Sequence, residues 1–296
     1  MTTRLKIDHA SLAAINPRII TCSVTGFGET GPETDRPAYD QVVQGMGGGM
    51  SITGFPEGPP LRAGIPIGDL AGGLFGALGV LAAVSARCAT GRGQHVDISM
   101  LDCQISLLNY MATMYLLSGH NPERLGNGHF VHVPYDTFRT QTNWIIIAVV
   151  GNNFWENLLE VIDVPALRDG KYRNQPERLA DKKFINDTVQ EVLLTKPAEY
   201  WLKKLREKRI PCAPVNTFSE ALNDPQILAR NMVISVKSTN GDEVKMPGNP
   251  VKLSDTYEDS YSFPPRLGEH TDEVLSQRLG YTKDQLMALH AQQVIG

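Results

Sequence analysis

The stretch at residues 70–86, LAGGLFGALGVLAAVSA, carries no charge, and it constrains this chain more than any other segment. It is about as long as one membrane span, yet it is interrupted by Gly72, Gly73, Gly76 and Gly79 and is followed by no stop-transfer pattern. Gly72, Gly76, Gly79 and Ala83 recur at spacings of four, three and four, which lines them up as one stripe of a helix. A stripe of such small residues lets a neighbouring layer approach closely. The expected element is a buried helix over residues 69–88, stopped at Thr90-Gly91-Arg92-Gly93.

Its flanks supply the layer. Residues 18–24 form a β-branched run after Asn16-Pro17 and read as a strand, as do residues 95–99. Helices are expected over residues 40–50 and 100–117, with an extended piece at residues 61–66 leading to Gly68-Asp69. Strand and helix alternate, which predicts an open α/β domain over residues 1–120. After Ser118-Gly119-His120-Asn121-Pro122 the character changes to a hairpin of Phe138 and residues 144–150, then helices at 153–162, 178–194 and 198–208. This predicts a smaller α+β domain over residues 121–222, with residues 211–214 as a proline-marked connector. Residues 223–296 hold a hairpin around Asn240-Gly241 and two closing helices, at 271–279 and 283–292.

Several functions find no support. Lys plus Arg is 28 against 32 Asp plus Glu, a net charge of −4, which gives no basic field for nucleic acid or a membrane surface. Cys22, Cys88, Cys103 and Cys212 form no CxxC, so thiols in a reducing, cytoplasmic compartment are expected. The opening MTTRLKIDHA lacks the apolar region of a signal peptide. His129 and His132 bracket Phe130-Val131 with no carboxylate at ligand spacing, which argues against a metal. Neither Ser99 nor Ser106 lies in a GxSxG elbow, and residues 203–209 read as a solvated basic helix face. Residues 26–31, GFGETG, match GxGxxG, but Pro32, Asp35 and Pro37 follow where a dinucleotide site needs a helix; the segment reads as a structural loop.

Asp69 is the strongest chemical candidate. At the start of a helix it has a bland reading as an N-cap, which accepts orphan amides. The same position has a functional reading. The helix N-terminus favours negative charge, nearby amides can hold an oxyanion, and an ionised accessible carboxylate is a nucleophile. Gly68, Gly72 and Gly73 leave room beside it for a bulky ligand.

Asn16-Pro-Arg-Ile-Ile, Thr25-Gly-Phe-Gly-Glu-Thr-Gly-Pro32, Gly68-Asp69-Leu-Ala-Gly72 and Thr90-Gly-Arg-Gly-Gln94 with Asp97 occur here in that order. Arg124-Leu-Gly-Asn127, Pro134-Tyr135, Gly151-Asn152-Asn153, Pro211-Cys-Ala-Pro214 and Pro265-Arg-Leu-Gly-Glu-His-Thr271 follow. Across nearly its whole length the chain thus resembles the class III CoA-transferases, which include formyl-CoA, carnitine and dicarboxylate CoA-transferases and the α-methylacyl-CoA racemases. The resemblance implies an open Rossmann-like large domain, a small α+β domain and a C-terminal segment returning to the large domain. It also implies an intertwined homodimer, and CoA and acyl-CoA as substrates with no permanently bound cofactor. Asp69 matches the catalytic aspartate, which passes through aspartyl anhydride and aspartyl-CoA thioester intermediates. Gly68, Gly72 and Arg92 are implied in CoA binding, and Gly151, Asn152 and Asn153 in a loop over the substrate.

Where the racemases pair the aspartate with a histidine, this chain has Tyr39, and a phenol is a poor α-proton base at neutral pH. Transfer is therefore favoured over racemisation. Arg62, in Pro60-Leu-Arg62-Ala-Gly64, suits a bidentate grip on an acceptor carboxylate, with a surface arginine as its alternative. Succinyl-CoA and a small dicarboxylic acid are the expected pair. The family carries a long segment ahead of Asn16-Pro17 where this chain has fifteen residues. The resemblance thus implies a large domain incomplete at its N-terminus, with an open sheet edge and uncovered apolar surface. A truncated or partner-dependent inactive member is the non-enzyme alternative.

Overall fold

The structure, a computed structural model, describes residues 2–238, 240–256 and 260–296. The chain divides into two compact units, Met1–Val215 and Asn216–Gly296.

In the first unit, β1 (Thr21–Thr25) and β2 (His95–Ser99) lie parallel, in register from Thr21 opposite His95 to Thr25 opposite Ser99. Parallel strands need a crossover, and the Ile67–Thr90 helix provides it. Its small-residue stripe faces the strands as expected: Gly72 packs on Val24 and Met100, Gly76 on Val24 and Cys22, and Gly79 on Val96. The expectation of a buried helix needs correction, however. Leu70, Leu74, Leu78 and Leu81 are exposed, Leu74 by 73%. A two-stranded sheet covers one face of a helix, and this sequence is apolar all round. Among the described residues this is the one helix long and apolar enough to cross a membrane.

The helix expected over residues 100–117 is two, Met100–Leu107 and Tyr110–Ser118. Asn109 between them has φ of 50°, a backbone state that asparagine tolerates better than most residues and that no helix interior accommodates.

Farther along, β3 (Tyr135–Arg139), β4 (Trp144–Ala148) and β5 (Cys212–Pro214) form an antiparallel sheet in the order β3-β4-β5. Alternation sorts β4 cleanly, with Ile145 and Ile147 buried and Trp144 and Ile146 exposed. The buried pair packs into one core with Trp155 and Leu158 of the Asn152–Ile162 helix, Ile185 of the Lys182–Leu193 helix and Leu205 of the Ala198–Glu207 helix. β5 replaces the expected connector. Among the described residues it pairs with β4 alone, an edge place where proline is tolerated.

The second unit holds the short helices Phe218–Leu222 and Pro225–Ala229, and the β6 (Val233–Lys237) and β7 (Glu243–Pro247) hairpin. Gly241 in its turn has φ of 91°, as the Asn-Gly signal predicts, while Thr239 lies outside the described residues. Two helices close the chain, Thr271–Leu279 and Lys283–Ala291, the latter opened by a Thr282–Gln285 capping box.

Candidate active site

Asp69 lies in the first turn of the Ile67–Thr90 helix but is not its cap. The N-cap is Pro66, which has no side chain to offer the free amides. The missing acceptor comes from Asp40, which opens the Asp40–Met46 helix. Its Oδ1 accepts the Gly68 amide at 2.8 Å and its Oδ2 accepts Gln44 Nε2 at 2.8 Å. The buried Gln44 in turn accepts the Ala63 amide at 2.9 Å through Oε1. One carboxylate and one amide thus fix both the helix end and the strand-like approach to it. Gly68 has to be glycine for this: a Cβ there would lie 2.7 Å from Val43 Cγ2 and 3.0 Å from Asp40 Oδ1.

Relieved of capping, Asp69 is exposed, and among the described residues its carboxylate has no hydrogen-bond partner. The end of the helix that carries it packs beside Val24 near the close of β1 and Met100 just past β2. That is the carboxyl edge of the parallel strands, where open α/β folds bind ligands. Tyr39, 83% exposed, caps the Asp40 helix without a side-chain bond, which places it next to the same junction. Arg62, also exposed, donates through Nη1 to the Ala63 carbonyl at 3.0 Å, adjacent to the amide Gln44 holds. Tyr39, Arg62, Gly68 and Asp69 therefore gather about the Asp40–Gln44 pair.

Removing the cap from outside measures that arrangement. Asp40→Ala is expected to cost about 1 kcal/mol, the usual worth of an N-cap, and Asp40→Asn much less because it keeps an acceptor for Gly68. Urea unfolding midpoints of the two variants check this.

The other candidates do not all gather there. Gly72 is buried against the sheet, with Val24 and Met100 each 3.2 Å from where a Cβ would be. Arg92 follows the far end of a helix of 24 residues, roughly 36 Å long at 1.5 Å per residue, so it is not brought to Asp69. That end is closed by Arg87 donating to the Arg18 carbonyl and Arg18 to the Gly91 carbonyl. Gly151, Asn152 and Asn153 open the Asn152–Ile162 helix of the antiparallel region, and among the described residues no hydrogen bond links them to the Asp69 junction. The GFGETG segment packs as a structural loop: Gly28 donates to Thr25 Oγ1 and Glu29 to Asp97 Oδ2.

Sequence reasoning missed two features near the approach to Asp69. Arg124 grips the loop before it, donating to the carbonyls of Phe55, Pro56 and Gly58 at 2.9–3.2 Å. Phe55 then forms one wall of a cleft of about 460 Å³ with Phe138, Trp144 and Val215, and Asp136 and Asn186 lie among its polar lining. Burial pushes the Asp136 carboxyl up, against the Thr137 amide and Lys182, which favour its charge. The folded chain therefore holds this proton to a higher pH than the unfolded chain. Stability from this group is present at low pH and is lost as pH rises from the ordinary carboxylate value toward the raised one. Asp136→Asn removes that loss, and a turned Asn186 amide meets it with the Oδ1 that now lacks a partner. Its urea midpoint is expected above wild type at pH 7 and level with it near pH 3, below the ordinary value of about 3.9.

An accessible carboxylate held at the strand edge of a βαβ unit defines an α/β enzyme-type site. Residues 1–271 match CoA-transferase family III, and the chain belongs to that enzyme family. It is 38% identical to the acetyl-CoA:oxalate CoA-transferase of Acetobacter aceti, over 90% of this chain and 68% of that protein. It is 34% identical to the succinate–glutarate CoA-transferase of Agrobacterium fabrum, over 92% of this chain and 68% of that one. A CAIB/BAIF family protein from Brucella suis shares the fold with a TM-score of 0.83 and 32% identity, over 93% of this chain and 72% of the other.

Proposed function

We propose that this protein transfers CoA from an acyl-CoA donor, succinyl-CoA first among the candidates, to a small carboxylic or dicarboxylic acid, with Asp69 as nucleophile. The observation that carries this reading is the Asp69 carboxylate, exposed at the strand edge and unbonded among the described residues while Asp40 does the capping. An Asp69 oxygen attacks the donor thioester carbon, the C–S bond breaks, and CoA leaves as thiolate from a mixed anhydride. The thiolate attacks the Asp69 carbonyl, releases the donor acid and forms the aspartyl-CoA thioester. The acceptor carboxylate displaces the thiolate to give a second anhydride, and the thiolate attacks its acceptor carbonyl, freeing Asp69. One thioester replaces another, so no energy source is consumed. Arg62 holds the acceptor carboxylate, Tyr39 lines the site, and Gly151, Asn152 and Asn153 keep water from the anhydrides. The assembly is a homodimer in the cytoplasm.

Support comes from relatives named for transfer to oxalate and between succinate and glutarate, and from Tyr39 standing where racemisation needs a second base. The test incubates the chain with succinyl-CoA or acetyl-CoA and a panel of oxalate, glutarate and mesaconate, following new acyl-CoA by mass. A new thioester that depends on the acceptor is expected. Epimerisation of a 2-methylacyl-CoA in deuterated water, with no CoA moved, would instead establish the racemase.

A further inference from the structure

Arg178 is completely buried, and its charge is met by neutral oxygens. Its five N–H donors make five bonds: Nη1 to the Tyr172 and Arg173 carbonyls, Nε and Nη2 to Gln175 Oε1, and Nη2 to Asn152 Oδ1 at 3.1 Å. Three of these four acceptors lie just upstream of Arg178 itself. Asn152 is the exception, 26 residues away in sequence, at the head of the helix that follows β4. The guanidinium also lies over the Trp155 ring, 5.2 Å from its centroid, so the same helix is held at Asn152 and Asn152+3.

Burying a guanidinium is costly, and the one bond that this guanidinium makes outside residues 172–175 goes to a single exposed amide at the head of a helix. A guanidinium has no acceptor, so the Asn152 oxygen must face it and the Nδ2 group must face away. Asn152 is exposed and its Nδ2 has no partner among the described residues. Around it, a Cβ on Gly151 would meet nothing within 4 Å, and Asn153 is exposed. We propose that Arg178 is a positioning residue that locks the Asn152 amide so that its NH₂ group donates to a carboxylate oxygen of the acid substrate. This rests on the reading above that residues 151–153 meet the substrate, and it goes further by assigning the contact to Asn152 Nδ2 and its orientation to Arg178.

Asn152→Asp separates this from a structural role. The variant keeps an oxygen toward Arg178 and adds an ion pair, so it is expected to melt no lower than wild type. It also puts an oxygen where the donor was, so KM for the acid is expected to rise at least tenfold with KM for acyl-CoA unchanged. Arg178→Lys is expected to raise the same KM in the Asn152 background and to add nothing once Asn152 is Ala. Wild-type kinetics in Asn152→Asp, or a lower melting temperature, would overturn the proposal. A wild-type chain that moves no CoA refutes the transfer reading but leaves this one open to calorimetry with glutarate. There, affinity at least tenfold weaker in Asn152→Asp supports it, and equal affinity, or no binding to wild type, sinks it.

Discussion

Asp69→Ala is expected to lower CoA transfer by about a thousandfold or more, the scale of losing a covalent nucleophile, while leaving the fold intact. The second half of that statement comes from geometry. Asp69 is exposed and makes no hydrogen bond among the described residues, and Asp40 supplies the cap its helix needs. Only the attraction between its charge and the helix end is lost, at about 0.3–1 kcal/mol. Loss of activity at an unchanged melting temperature therefore marks a chemical role. Activity within a few fold of wild type would remove Asp69 from the mechanism, whatever the family resemblance.

The second large effect is on the fold. Gly93→Ala is expected to destabilise the chain by about 3 kcal/mol, at the upper end for overpacking by one methyl. A Cβ on Gly93 would collide with the Ile19 carbonyl oxygen, and that backbone cannot move aside cheaply: Gly93 donates to the Pro17 carbonyl and Thr21 to the Gln94 carbonyl, which together start the β1–β2 pairing. Gly151→Ala is the control, since a Cβ there meets only open space. Urea midpoints of the two variants, followed by circular dichroism, should differ widely; equal midpoints would refute the clash.

Gly93 also shows what kind of information the sequence held. Thr90-Gly-Arg-Gly-Gln94 stood out as a family signature, with Arg92 as a CoA ligand, yet in the structure Gly93 is required by backbone packing far from Asp69. The small-residue stripe at Gly72, Gly76 and Gly79 was legible because it is periodic, and it faces the strands as that period demands. The leucines between were not, because hydropathy records what a face prefers and not whether a second layer is present. Asp40 was invisible as the cap of the Asp69 helix since the bond spans 28 residues, and no local pattern encodes such a distance. The prolines at 211 and 214 hid β5 for the opposite reason: they are strong local signals, and at a sheet edge pairing overrides them. Arg178 was hidden by its charge, which reads as surface until its acceptors are in place.

The Arg124 clamp carries a consequence for redesign. It holds only main-chain oxygens, those of Phe55, Pro56 and Gly58, so it is indifferent to the side chains that the loop presents. Residues there can be exchanged in a library while the loop keeps its path, and one cleft wall, Phe55, can be resized without loosening the grip. The shape of that cleft is thus tunable apart from the scaffold, with Arg124 as the position such a library must leave alone.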